Sequence, residues 1–191
     1  MIITPPHLLS QQADSPSVWI AVKTFFAQEG KLSSYLTSRQ TPHFIPMFCH
    51  YEDDGEGKPV ARHRPAVHNL VFVALDQGVQ QVREVLHQCP YMHQVYRRFD
   101  KKEEWCLITD SEMNDLRQIC DMSCVEPRFL SAQECELSVG QHVRVMHGPL
   151  KGIQGKMVRK NKKYYLLRTF GSIGVEVKVS RWCCTLIDET T

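Results

Sequence analysis

Val139–Val158 reads VGQHVRVMHGPLKGIQGKMV, and this stretch decides the fold of the C-terminal part of the chain. Val143 and Val145 alternate with Arg144, which is the two-residue period of a strand with one face turned inward. The pattern therefore predicts a half-buried strand at the start of a β domain.

A turn and two further glycines follow this strand. Gly148 and Pro149 are typical of a turn. Gly152 and Gly155 permit either a positive φ or a close approach between strands, which a Cβ would obstruct. Lys151, between them, is expected at the surface. The spacing predicts a tight hairpin that leads into a second strand.

The residues around this hairpin contain no helical pattern and repeat the same alternation. Short strands separated by turns at such intervals are typical of a small β-barrel. About fifty residues form a marginal core, so the barrel must be compact. The predicted strands are His142–Met146, Gly155–Arg159, Tyr164–Thr169, Val175–Val179 and Cys183–Ile187.

The part of the chain before residue 121 has a different texture, in which strands and helices alternate. Its order predicts an α+β domain with helices packed on an antiparallel sheet. The loop Glu52–Pro59 is expected to be the tip of a long hairpin. The predicted strands are Val18–Phe25, His43–Tyr51, Asn69–Leu75 and Val95–Arg98, and the predicted helices are Ala27–Arg39, Gly78–Cys89 and Thr109–Cys120.

These patterns divide the chain of 191 residues into two modules. Residues 1–16 are expected to be a loose tail, 17–120 the α+β domain, 121–137 a linker without clear period, and 138–191 a barrel that is separate from the first domain.

Charge follows the same division. Residues 139–191 carry ten Lys/Arg and three Asp/Glu, whereas the remainder carries 13 and 18. A basic module favours contact with phosphate or with an acidic protein face, although clustered lysines at a solvated surface give the same count.

The hairpin stretch closely resembles the KOW motif, through Val143, Val145, Gly148, Pro149, Lys151, Gly152 and Gly155. Trp19–Gly30, Val67–Val73 and Leu107–Met113 resemble the NGN domain of NusG-family transcription elongation and antitermination factors. The asparagine at position 69 and the helix that contains Met113 resemble the corresponding features of specialised paralogs, the RfaH and UpxY antiterminators.

The resemblance implies a fold and a partner. The fold is a ferredoxin-like NGN domain followed by an SH3-like barrel. An apolar concavity of NGN would receive the clamp helices of RNA polymerase and thereby suppress pausing or termination. The matching positions are Leu70, Phe72, Tyr96, Phe99 and Ile108; for Phe72, plain core packing is an equal alternative.

The resemblance also implies further partners. Specialised members read non-template DNA with polar and basic residues, for which Gln80, Gln81 and Arg83 are the candidates, although a solvated helix face is the simpler interpretation. The barrel would recruit a ribosomal protein or a termination factor. The chain is expected to act as a monomer.

The sequence argues against several classes of protein. No apolar run is long enough for a membrane span, and the first residues show no secretory signal, so the chain is expected in the cytoplasm. The sequence contains neither the phosphate-binding motif G-x-x-x-x-G-K-[ST] nor the nucleophile motif G-x-S-x-G, and its Cys and His spacings lack the paired pattern of zinc sites. We therefore expect no enzyme, no cofactor and no metal. A ribosome-associated or RNA-binding KOW protein, or an enzyme with converging ionisable groups in a cleft, remain the alternatives.

Overall fold

The structure is a computed structural model that describes residues 18–98, 101, 103–121 and 127–187. It contains helices together with antiparallel sheets, and the α+β class is confirmed.

The first sheet belongs to the N-terminal part. Its strand order is β2-β5-β1-β6, with β7 pairing the same edge of β1 as β6, and all pairs are antiparallel. This is the strand order of a ferredoxin-like fold. The elements are β1 (Val18–Thr24), α1 (Glu29–Ser38), β2 (His43–Phe44), β3 (Met47–Asp53), β4 (Pro59–Pro65), β5 (Leu70–Ala74), α2 (Val79–His87), β6 (His93–Val95), β7 (Leu107–Thr109) and α3 (Asp110–Cys120).

The two faces of this sheet bury different residues, because successive side chains of a strand point to opposite sides. On one face, Ile20, Val22, Val71 and Val73 pack against α1 and α2. On the other face, the neighbours of these residues on β1 and β5 pack against α3. The central strands are thus buried on both sides, as the continuous apolar run in β5 predicts.

The hairpin of β3 and β4 stands apart as a two-stranded sheet. The sequence predicts a single strand over His43–Tyr51, but Pro46 interrupts it. β2 stays in the main sheet, and the pairing from Met47↔Pro65 to Asp53↔Pro59 forms the separate hairpin. At its tip, the Asp53 carboxylate accepts hydrogen bonds from two backbone N–H groups, as expected for a polar turn.

The second sheet contains the remaining strands, in the order β13-β9-β10-β11-β12-β8, and is consistent with a small β domain. Its interior is apolar, with Val143, Val145, Leu166 and Val177 buried. The elements are β8 (Arg128–Ser131), α4 (Ala132–Glu136), β9 (Gln141–Val145), β10 (Gln154–Lys160), β11 (Lys163–Phe170), β12 (Ile173–Val179), a 3₁₀ helix (Arg181–Cys183) and β13 (Cys184–Leu186).

The expected linker over 121–137 contains two of these elements. β8 pairs with the outer edge of β12, with Phe129 opposite Val175. Ser131 and Glu134 form a capping box at the start of α4. That S-x-x-E signature was available in the sequence, whereas four strand residues are too few to show a period.

The barrel is also less separate than expected. One hydrophobic cluster runs from the α3 face of the first sheet into the interior of the barrel. It includes Phe72 and Leu116 from the first part, and Leu166, Phe170 and Val175 from the second. The two sheets therefore share a continuous core in this structure.

Candidate functional site

The structure brings together four of the five residues that the resemblance assigns to polymerase binding. Leu70, Phe72 and Ile108 lie on the α3 face of the first sheet and are 3%, 0% and 1% exposed. Tyr96 packs against the same cluster and is half-buried. Phe99 lies outside the described residues.

The strand register places these side chains. β1 pairs with β5 so that Ala21 lies opposite Phe72. The ring of Phe44 packs 6.4 Å from the ring of Phe72, centroid to centroid. The backbone N–H of Tyr96 donates to the carbonyl of Ala21 at 2.9 Å, which ties the loop after β6 to the same strand. Burial raises the pKa of the Tyr96 phenol, so it remains a neutral group at this face.

The loop before β5 is held by Asn69. Its φ is +63°, a left-handed conformation that asparagine tolerates better than most residues. Its side-chain oxygen accepts a hydrogen bond from the backbone N–H of Ala27 at 2.8 Å, and its carbonyl accepts one from Thr24 at 3.0 Å. Asn69 therefore fixes the chain entering β5, which gives a structural reason for an asparagine at this position.

Helix α3 is the first cover over this face. The helix begins with a capping box, in which the Thr109 hydroxyl accepts from the Glu112 N–H and the Glu112 carboxylate accepts from the Thr109 N–H. The indole N–H of Trp19 donates to Asp110 at 3.1 Å. Burial raises the pKa of the Cys120 thiol to about 12, so that thiol stays neutral as part of the apolar stripe.

The turn between β11 and β12 is the second cover. A Cβ at Gly171 would lie 2.9 Å from Sγ of Cys106 and 3.1 Å from Cγ1 of Ile108, so only a glycine approaches β7 this closely. The hydroxyl of Ser172 donates to the carbonyl of Arg97 at 3.1 Å. The barrel thus touches the residues that flank the predicted binding face.

Polar contacts join the barrel to α3 as well. Arg168 on β11 and Asp115 on α3 form an ion pair at 3.3 Å. Burial raises the pKa of Asp115, although the charge of Arg168 opposes this effect. The side-chain amide of Gln118 donates to the carbonyl of Pro149 at 2.7 Å. A residue of the KOW hairpin is therefore in contact with the helix that covers the first sheet.

A groove of about 480 Å³ remains between the two parts. Leu70 and Tyr96 line it from the first part, and Phe129 and Ile173 line it from the barrel. Lys23 contributes a cation to the lining. The arrangement is an apolar recess between two surfaces, and it offers no set of converging acids and bases for chemistry.

The KOW residues have the roles that their types suggest. Val143 and Val145 are buried in the barrel core. Gly148 and Gly152 have φ values of +87° and +97°, whereas a Cβ at Gly155 would lie 2.5 Å from the carbonyl oxygen of Leu167. The first two glycines therefore serve the turn, and the third permits close strand pairing.

The candidate nucleic-acid residues are not part of this face. Gln80, Gln81 and Arg83 are exposed on α2, which packs on the opposite side of the first sheet. The guanidinium of Arg83 lies 5.2 Å from the ring centroid of Trp105. The sheet thus separates these three residues from Leu70 and its neighbours.

Among residues 18–98, 101, 103–121 and 127–187, no three His, Cys, Asp or Glu side chains are grouped closely enough to hold a metal ion. No helix in the same ranges has the length and apolar character to cross a membrane.

Comparisons with known proteins agree with the first sheet and its helices. A family model described as "Transcription termination factor nusG" matches residues 17–117, which is just over half of the chain. The comparison with curated proteins gave no match.

Proposed function

Because this chain belongs to the NusG family of transcription factors, we propose that it binds the clamp helices of RNA polymerase through the face made by Leu70, Phe72, Ile108 and Tyr96. The proposed outcome is less pausing or termination. This is the activity of the specialised antiterminators, which the asparagine at position 69 makes this chain resemble. Since this action needs only binding, no catalysis is proposed, and the place of action is the cytoplasm.

The observation that supports this proposal is the concentration of apolar anchors on one face. Ile108 and Leu70 come from different strands, and the half-buried Tyr96 lines the groove together with Leu70. In such interfaces a few anchors dominate, each contributing on the order of 1–3 kcal/mol. A helical tip with apolar side chains is the natural partner for a recess of this kind.

The barrel has to move before the part of the face that α3 leaves uncovered can act. Gly171 and Ser172 lie against β7 and the loop before it, and Ile173 lines the groove. On this proposal the structure represents a closed state, and polymerase would select an open state in which the barrel is displaced. A ligand that binds only the open state shifts the population toward it by its own binding free energy.

The same contacts affect the proposed partners of the barrel. Pro149 of the KOW hairpin is in contact with Gln118, so a ribosomal protein or termination factor that uses this hairpin would also need the open state. Opening would then make both partner surfaces available together. Non-template DNA is the proposed ligand of Gln80, Gln81 and Arg83, which are exposed in the closed state as well.

The direct test is capture of purified RNA polymerase by the full chain. Tyr96→Asp places a charge at the rim of the recess and is expected to reduce capture at least tenfold. Tyr91→Asp is the matched control. Tyr91 is also half-buried, but it precedes β6 in the chain, whereas Tyr96 follows it, and it does not line the groove. Equal capture by both variants, or no capture of polymerase by the wild-type chain, would contradict the proposal.

A further inference from the structure

The barrel carries aromatic and cationic side chains, around Tyr164 near the start of β11 and on the adjoining 3₁₀ helix, that the proposed function does not use. We propose that the outer end of the barrel, defined by Arg159, Tyr164, Arg181 and Trp182, binds single-stranded nucleic acid. The chemistry would be stacking of bases on Trp182 and pairing of phosphates with the surrounding cations.

Two arginines flank one aromatic ring at this end. β10 pairs with β11 so that Arg159 lies opposite Tyr164, and its guanidinium is 5.6 Å from the Tyr164 ring centroid. Arg181, on the 3₁₀ helix, approaches the same ring at 6.0 Å. Stacking on the ring orients the two guanidinium groups, whereas an isolated arginine would lose more conformational freedom on binding.

Trp182 follows Arg181 directly and is 93% exposed. A tryptophan is usually buried over most of its surface, so an indole that packs on nothing is available to a ligand. Its flat apolar surface suits a nucleobase, because base–aromatic stacking tolerates any base. The neighbouring arginine supplies a cation for the adjoining phosphate.

The turn between β10 and β11 adds further cations. Asn161 and Lys162 have φ values of +49° and +62°, the conformation of a tight two-residue hairpin turn. Lys162 and Lys163 are exposed there. Lys160 is instead paired with the buried Glu176 at 2.8 Å. Two lysines thus join the two arginines as charges that a polyanion would meet.

Negative charge is scarce in this part of the chain. Glu176 is the only acidic residue between positions 138 and 187, and Lys160 neutralises it. In this range the cationic side chains therefore outnumber the acidic ones, which favours contact with a phosphate backbone. An acidic peptide would meet the same charges, but it would leave Trp182 without a stacking partner, so the combination favours nucleic acid.

The site is independent of the closed or open state. Tyr164 lies near the start of β11, whereas Phe170 lies at the end that adjoins the turn packed on β7. Six residue steps along the strand separate them, or about 20 Å. The outer end is therefore exposed while the barrel is docked, and strand binding does not require the release of Ile108.

The test measures binding of the full chain to fluorescently labelled 12-nucleotide RNA, DNA of the same sequence, and the corresponding duplex. Both single strands are expected to bind with affinities within about threefold of each other, since neither stacking nor phosphate pairing needs the 2′-hydroxyl. The duplex is expected to bind more weakly because its bases are already stacked.

Trp182→Ala is expected to weaken binding of the single strands about tenfold. Leu186→Ala is its matched control, since Leu186 is an exposed apolar residue of the adjacent strand β13. Lys162→Glu should also weaken binding and reduce its dependence on salt, whereas Lys151→Glu, on the KOW hairpin, should change it less.

Circular dichroism spectra would establish that each variant is folded. Wild-type affinity in Trp182→Ala, or a duplex that binds as tightly as the single strands, would overturn the proposal. Displacement of RNA by polyglutamate at equal charge concentration would also overturn it, because it would indicate a general polyanion surface. Polymerase capture is measured separately, so failure here leaves the polymerase proposal intact.

Discussion

The guanidinium of Arg168 lies 3.3 Å from the carboxylate of Asp115, and this ion pair connects strand β11 of the barrel to helix α3 of the first sheet. Both side chains are about three-quarters buried, at 29% and 24% exposure. The pair lies beside the shared core, so its two members report on whether the barrel is docked.

Reversing the charge of one partner should open the barrel. Asp115→Arg places two arginines together and is expected to favour the open state by about 1 kcal/mol, or roughly fivefold. The double variant Asp115→Arg with Arg168→Asp should restore docking. Hydrogen exchange at the backbone of Ile108 measures the opening. Equal exchange in the single and double variants would show that the pair does not hold the barrel.

The pH dependence of stability should contain a contribution from Asp115. Burial raises its pKa above 3.8, so the folded state binds a proton more readily than the unfolded state does. The free energy of unfolding therefore falls as the pH rises from 3.8 through the raised value. Asp115→Asn should remove this fall, so the variant gains stability relative to wild type between pH 3.8 and pH 7. Urea denaturation at both pH values measures the difference; a relative loss would mean that Arg168 dominates.

Gly171 offers a second way to displace the barrel. Gly171→Ala introduces a Cβ that meets Cys106 and Ile108 and also strains a left-handed residue. Gly152→Ala is the control, because at φ +97° it carries at least as much backbone strain as Gly171 at φ +58°, with no atom within 4 Å of the new Cβ. We expect only Gly171→Ala to increase both exchange at β7 and capture of polymerase. The same behaviour in both variants would indicate backbone strain alone.

Phe72 should contribute to the core of the closed state in addition to its proposed place in the binding face. Its side chain is fully buried, so Phe72→Ala is expected to lower the free energy of unfolding by about 3–5 kcal/mol. Phe26→Ala should change it by less than about 0.5 kcal/mol, because Phe26 is 81% exposed. Chemical denaturation measures both values. A small effect at Phe72 would favour a role at an interface over a role in packing.

Local patterns predicted much of the fold. The capping box at Thr109 marks the start of α3 to within one residue, because its two hydrogen bonds need only nearby atoms. The alternation around Val143 predicts β9 for a similar reason. The interruption at Pro46 was harder to place, since a proline at a sheet edge and a proline between two strands look alike in sequence.

The contacts between the two parts could not be predicted from the sequence. Phe170 and Ile108 are distant along the chain, and nothing in either segment indicates that they share a core. The residues that match the polymerase-binding positions were placed on one face through the family resemblance, but their burial under the barrel depends on tertiary packing. The pairing of β8 with β12 was missed for the same reason.

The position of β8 limits how far an undocked barrel can travel. Only the segment between Cys120, the end of α3, and Arg128, the start of β8, connects the two parts. Eight residue steps span at most about 28 Å when fully extended. Because this linker is short, the effective concentration of the barrel near its docking surface stays high. Re-docking would be fast. After the chain leaves polymerase, it would therefore return to the closed state without the action of another protein.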